Sequence, residues 1–301
     1  MGMLRAMVRL IRPQQWVKNI FVFTAIIFSG RVSDTVAVLH AVLAFGAFCL
    51  VSSAIYVLND IKDVEEDRKH PKKKSRPLAS GQVPMAAAGF LFLLFAGASL
   101  GITQCVLGPS TVVVLGTYLV INAAYSFGLK NVVILDVLLI ASGFVLRILA
   151  GATAIAVMPS TWLVLCAVMI SVFMGFTKRR AEVVLLGDKA SEHRRVLAQY
   201  STAFLDQMIG IVTAGTVVCY ILYTVDPHTV ELVGSRAMIF SVPLVLYGIF
   251  RYLYLVYHAE SGGDPTRTVF TDIPLLVDGA IWGALCTVLI LFGRDWGPFL
   301  F

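Results

Sequence analysis

Where a long apolar run ends, residues 59–67 read Asn-Asp-Ile-Lys-Asp-Val-Glu-Glu-Asp. If the helix of that run continues through them, Asp60, Asp63 and Asp67 follow at offsets of three and four and share one face, with Asn59 on the same side. Carboxylates are costly in a bilayer, so an acidic stripe at its edge points to a task. Oxygen ligands suit a hard divalent cation. Magnesium in particular takes a few carboxylates and completes its shell with water and substrate phosphates. A cation held at a membrane surface can in turn hold a phosphorylated substrate. Glu65 and Glu66 read as ordinary solvated charge beside the stripe.

Basic and polar groups recur at other membrane boundaries. Arg76 lies between the stripe and Gly81, and the following Pro77 stiffens the loop and aims a guanidinium suited to phosphate. Lys72 and Lys73, upstream, read as topology determinants or lipid-headgroup contacts. Lys130 closes Tyr125-Ser126-Phe127-Gly128-Leu129-Lys130, as an anion contact or as a snorkelling anchor with an aromatic partner. In Arg12-Pro13-Gln14-Gln15-Trp16-Val17-Lys18-Asn19, a helix break is followed by two donors, Lys18 and Asn19, or by an interfacial anchor built on Trp16. Lys178-Arg179-Arg180-Ala181-Glu182 is either a stop-transfer cluster or a second anion-holding edge. Lys178 and Glu182 face each other there at i,i+4, with Glu182 able to reach a metal. Asp136 and Arg147 stand eleven residues apart inside one span, on one helical face with Gly143. They line a polar cavity or pair with other helices; they are too far apart to pair with each other.

The elements that must position these groups are membrane helices. Of 301 residues 58% are hydrophobic and 14% charged, far too apolar for a soluble domain of this length. Nine spans are expected: 16–31, 35–58, 85–106, 110–127, 131–153, 160–177, 205–225, 237–257 and 273–293. Residues 1–15 add an interfacial segment, amphipathic over 3–12 and ended by Pro13. Alternating the spans from a cytoplasmic N-terminus puts 20 of the 24 Lys and Arg on the inner side, against Arg31, Arg236 and Arg294 outside. The chain therefore reads as one membrane domain, 1–301, with a cytoplasmic N-terminus. Its charged loops, 59–84 and 178–204, follow spans two and six, as two similar halves would place them around a shared cytoplasmic cavity. The segment 258–272, with Gly262-Gly263-Asp264-Pro265, is a lid or a connector.

Other classes recede. The net charge of +6 reports topology and anionic lipid, with no nucleic-acid partner. The five cysteines are isolated in apolar stretches, the five histidines form no cluster, and no Ser-His-Asp or Cys-His set stands out. A transporter would want broken span pairs or inverted repeats, and none is evident. The segment after Trp16 contains Lys18 and lacks a signal-peptidase pattern.

With Asn59-Asp60-x-x-Asp63-x-x-x-Asp67, the span layout and the two charged loops, the chain resembles the UbiA-type superfamily of intramembrane prenyltransferases along essentially its whole length. That resemblance implies an all-α, barrel-shaped bundle and a magnesium-diphosphate site near the cytoplasmic face. Three further stretches are similar to the decaprenyl-phosphate phosphoribosyltransferase branch: Arg12-Pro13-x-Gln15-Trp16-Val17-Lys18-Asn19, Tyr125-x-Phe127-Gly128-Leu129-Lys130 and Lys178-Arg179-x-Ala181-Glu182. The branch implies transfer of phosphoribosyl from phosphoribosyl diphosphate to a polyprenyl phosphate, toward cell-wall arabinose; a homo-oligomer is left open. Its expected site has Asp60, Asp63 and Asp67 on Mg2+, and Lys18, Asn19, Asn59, Arg76, Tyr125, Lys130, Arg147, Lys178, Arg179 and Glu182 on the substrates. Aromatic prenyltransferases of the superfamily carry a second aspartate motif after span six. Here that place reads Lys178-Arg179-Arg180-Ala181-Glu182, which suits a heavier anionic load, although transfer of a prenyl group to an aromatic acceptor stays the alternative.

Overall fold

The computed structural model describes residues 2–70, 73–186, 195–258 and 271–296. Pro71, Lys72, Asp188 with the middle of the second charged loop, and 259–270 with Gly262-Gly263-Asp264-Pro265 lie outside the described residues. Everything regular among the described residues is helix. Among the described residues eight helices are long and apolar enough to cross a membrane, and they coincide with eight of the nine expected spans.

The ninth, 16–31, takes another form. Helix α1, Met3–Ile11, stops at Arg12, whose backbone is left-handed at φ 52°, and Pro13 restarts the chain as a 3-10 helix, Pro13–Phe23, followed by a short α2, Thr24–Phe28. Runs of 3-10 helix this long are uncommon. Here side chains pin it: Trp16 Nε1 donates to Ser53 Oγ at 3.0 Å and Asn19 Nδ2 to Ser52 Oγ at 3.2 Å. With a rise of about 2.0 Å per residue, eleven residues reach roughly 22 Å, further than an α-helix of that length.

The chain forms two compact units. The first comprises Met1–Ile27, Arg31–Lys130 and Leu146–Met158. Its centre is α3, Thr35–Lys62, capped by Asp34, whose Oδ1 accepts from the amides of Val36 and Ala37. At 28 residues α3 is about 42 Å long, enough to cross the hydrocarbon and carry its acidic end beyond it. Ala37, Ala41, Ala44 and Ala47 are buried small residues that let other backbones come close. Against α3 packs α5, Met85–Val106, where Ser99 Oγ donates to the Ala47 carbonyl at 2.8 Å. Between them in sequence, the short α4, Val64–Lys69, follows Asp63; after α5 comes α6, Pro109–Phe127. Phe48, Val51, Leu115 and Tyr118 form the core with Val22, Leu146 and Ala150. The amphipathic α1 docks through buried Ala6 and Leu10 on Val57, Leu78 and Ala88.

Helix α7, Leu135–Ala154, gives its last turns to the first unit. There Gly151 lies under the 3-10 segment so closely that a Cβ would overlap the carbonyl of Val22. Gly151→Ala is accordingly expected to destabilise this unit by about 1–3 kcal/mol, the usual cost of overpacking, read as a lower midpoint of thermal unfolding in detergent.

The second unit comprises Phe28–Gly30, Asn131–Val145 and Pro159–Phe301. It holds the first turns of α7, then α8, Thr161–Leu186, and α9, Thr202–Val225, which pack together extensively. The short α10, Pro227–Val233, precedes α11, Val242–His258, and α12, Ile273–Trp296. Val137, Phe173, Phe176, Leu205, Ile209 and Tyr252 form one core, and Tyr220, Tyr223, Met238, Cys286 and Leu289 another.

Candidate active site

The acidic end of α3 is built largely as expected, with one change. The helix runs to Lys62, Asp63 steps out of α geometry at φ −94° and ψ 8°, and α4 resumes at Val64. The amide of Asp63 still bonds the Asn59 carbonyl, and that of Asp67 the Asp63 carbonyl, so the helical spacing survives the step. Asp60 and Asp67 remain on one side and are each 2% exposed. Asp63 diverges and pairs with Lys130 at 2.9 Å.

Each aspartate meets a cation. Arg12 Nη2 donates to Asp60 Oδ1 at 2.5 Å. Arg76 Nη1 donates to Asp67 Oδ2 at 2.6 Å and to Asp60 Oδ1 at 3.3 Å. Positive and negative groups therefore alternate: Arg12, Asp60, Arg76, Asp67. Local structure explains each approach. Arg12 is delivered by its left-handed turn ahead of Pro13, a conformation that costs a non-glycine residue of order 1 kcal/mol, and it stacks on Tyr56 at 5.2 Å. Arg76 sits in a turn whose backbone is tied at both ends, its amide to Lys73 O and its carbonyl to the Ser80 amide, each at 2.9 Å. Lys130 is brought round by Gly128, which ends α6 at φ +154°, a backbone state that L side chains rarely adopt. Asn59 accepts a hydrogen bond from Ser126 Oγ, joining α3 to α6. Tyr125 lies half-buried on the last turn of α6, where its carbonyl accepts from the Gly128 amide.

Deeper in the same unit is a second polar group. Arg147, 5% exposed, sends Nε to Asn19 Oδ1 at 2.9 Å, while its guanidinium lies 4.9 Å from the Phe48 ring centre and 5.3 Å from that of Tyr118. Asn19 is fully buried and also donates to Cys49 Sγ and Ser52 Oγ. Lys18, half-buried, precedes it.

The expectation that Asp136 and Arg147 line one polar cavity is corrected here. They share α7 but belong to different networks. In the second unit Asp136 Oδ2 accepts from Arg179 Nε at 2.6 Å, and its Oδ1 accepts from the Tyr200 hydroxyl at 2.7 Å. The Tyr200 phenol is pushed well above its ordinary value, first by burial and then by the hydrogen bond to Asp136, so it stays protonated and donates. Arg179, 1% exposed, reaches Glu182 Oε2 through Nη1 at 2.5 Å. Glu182 thus pairs at i,i+3 with Arg179. Arg180 binds Asp206 at 2.5 Å and lies 3.9 Å from the Tyr257 ring centre. Arg179 and Arg180 are thus held by internal partners, so the interhelical ion-pair alternative given for Asp136 is the one that applies.

The description of the UbiA prenyltransferase family matches residues 19–271, a span containing the aspartates, Arg76, Lys130, Arg147 and the 178–182 run. The chain belongs to the UbiA prenyltransferase family. It is 32% identical to the decaprenyl-phosphate phosphoribosyltransferase of Corynebacterium glutamicum over 95% of this chain and 86% of that one. It is 37% identical to the protein of the same name from Mycolicibacterium smegmatis over 82% of each. Among solved structures, a UbiA homolog from Archaeoglobus fulgidus bound to GPP and Mg2+ superposes with a TM-score of 0.72 at 17% identity, covering 95% of this chain and 99% of that one, a likeness of fold. The chain is thus an integral-membrane enzyme of the UbiA family.

Do its residues suit the divalent ion expected at the UbiA site? Among the described residues no three His, Cys, Asp or Glu side chains are gathered as a cage. Magnesium does not require one, since it binds through one or two carboxylates plus water and phosphate. Asp60 and Asp67 both touch one nitrogen of Arg76, so a small cation in that nitrogen's place would need only modest inward movement to meet both. The donor set fits. Sequence reasoning left Arg12 out of the site. Its place directly before Pro13, at a helix break facing the membrane entry, was the available signal.

Proposed function

We propose that this UbiA-family enzyme transfers a phosphoribosyl group from phosphoribosyl diphosphate to a polyprenyl phosphate at the cytoplasmic membrane face. The observation that carries the reading is the sequence likeness, along nearly the full chain, to two proteins named decaprenyl-phosphate phosphoribosyltransferase. The 178–182 run adds to it by lacking the aspartates that aromatic prenyltransferases would place there. The UbiA homolog bound to GPP and Mg2+ supports a divalent ion and a diphosphate in this fold. The excess of Lys and Arg on one side of the spans supports a cytoplasmic N-terminus and site.

A magnesium ion on Asp60 and Asp67 would stabilise negative charge on the departing diphosphate. The chain's own groups do the rest. Arg12, Arg76 and Lys130 bind diphosphate oxygens and offset their charge; Asp63 holds Lys130 in place. Asn19 and Arg147, bonded to each other inside the first unit, would turn to a polar group of the substrate. The anomeric carbon loses its bond to diphosphate and gains one to a lipid phosphate oxygen, already anionic, so no strong general base is needed. Orientation of mutually repelling anions and electrostatic stabilisation carry the rate.

A paired-substrate assay on the purified protein tests this. Diphosphate release is expected only with phosphoribosyl diphosphate and polyprenyl phosphate together, in the presence of Mg2+. Release from a prenyl diphosphate with an aromatic acceptor would replace this reading with its rival.

A further inference from the structure

Arg76 holds the two carboxylates that a divalent ion would use. One nitrogen donates to Asp67 at 2.6 Å and to Asp60 at 3.3 Å, and Arg12 shares the same Asp60 oxygen. The aspartate side chains are 3% and 4% exposed, whereas those of Arg12 and Arg76 are 23% and 29% exposed. A guanidinium and a divalent ion cannot occupy the same oxygens, because like charges at such a distance repel strongly. A cation that takes the place of that nitrogen, between Asp60 Oδ1 and Asp67 Oδ2, displaces Arg76, and a partly buried guanidinium without an anionic partner is unfavourable. Diphosphate supplies that partner.

We propose that Arg76 is an exchangeable cation. It holds Asp60 and Asp67 until a diphosphate arrives, then moves to the phosphate oxygens and releases both carboxylates to the divalent ion that accompanies the diphosphate. Metal and diphosphate thereby bind cooperatively, each strengthening the other by the same factor. The turn is built for this, since its backbone is tied at Lys73 and Ser80 and Pro77 limits its freedom, so the exchange needs only side-chain rotation. Arginine suits the second partner in particular, because its planar fork matches phosphate geometry, which a lysine does not. The inference rests on the metal-diphosphate part of the proposed function.

The test is Mn2+ binding, as a stand-in for Mg2+, followed by electron paramagnetic resonance on the purified full chain in detergent, with and without inorganic pyrophosphate. In the unmodified protein pyrophosphate is expected to tighten Mn2+ binding about tenfold or more, within the usual range of coupling between sites. Arg76→Gln should tighten Mn2+ binding without pyrophosphate by about tenfold and erase most of the enhancement. Adding Asp67→Asn to that variant should return binding to the weak level. Should Arg76→Gln fail to fold, Arg76→Lys decides, with a smaller shift in the same direction. Unchanged or weaker Mn2+ binding without pyrophosphate in these variants would make Arg76 a structural clamp and overturn the exchange alone. Absence of Mn2+ binding to the unmodified protein even with pyrophosphate would remove the metal site and the exchange together. Because pyrophosphate is common to sugar and prenyl donors, neither result bears on which group is transferred.

Discussion

Asp60→Asn is expected to lower turnover by at least about a hundredfold, the scale on which removal of a preorganised charge in an active site is felt. The substitution keeps the shape of the side chain and removes its charge. Two effects then combine. An amide is a poorer ligand than a carboxylate for a hard cation, and Arg12 and Arg76 lose the anion that orients both of them. The fold should survive, because Arg76 keeps Asp67 as a partner and Arg12 keeps access to water. Asp67→Asn should behave similarly, through Arg76. Asp63→Asn should cost less, since Asp63 is more exposed and touches only Lys130 among these cations. The check is Mg2+-dependent turnover beside thermal unfolding and size-exclusion profiles for all three. Near-normal Mg2+-dependent turnover in both Asp60→Asn and Asp67→Asn would remove the metal site.

Asp136→Asn is expected to act on stability. Asp136 and Arg179 are almost completely buried, and breaking a buried pair by neutralising one partner typically costs about 3–5 kcal/mol, because the other charge is left behind. Tyr200 would lose a charged acceptor as well. Adding Arg179→Met removes the stranded charge, so the double variant should recover a large part of the loss. A double-mutant cycle of thermal unfolding measures that coupling. An Asp136→Asn protein that unfolds at the unmodified temperature but is inactive would instead give Asp136 a part in the chemistry. The two predictions separate two kinds of acidic residue: Asp60 meets arginines that keep water access, and Asp136 meets one that has none.

The contrast shows where the sequence was legible. Hydrophobic run length located eight crossing helices, because a bilayer imposes a minimum apolar length that composition alone reveals. Helical spacing put Asp60 and Asp67 on one side, and the i→i−4 bonds through Asp63 preserve it. Gly128, in the Tyr125–Lys130 motif, has the residue type that its backbone requires. The apolar content of 16–31 predicts a crossing helix throughout. The first part of that segment, to Phe23, is a 3-10 helix because Pro13 restarts the chain and because Trp16 and Asn19 bond to serines on α3, distant in sequence.

Charge positions were visible from the sequence, but charge partners were not. Apolar run length and helical periodicity are local properties, so an all-helical membrane protein with an acidic stripe at one boundary and basic groups spaced along the chain is legible without partners. Only tertiary structure decided that Arg76 faces Asp60 and Asp67, that Arg12 joins them, that Lys130 takes Asp63, and that Arg179 is locked to Asp136. Those pairings join residues 9 to 67 positions apart, and what selects them is the cost of leaving a buried charge without its opposite.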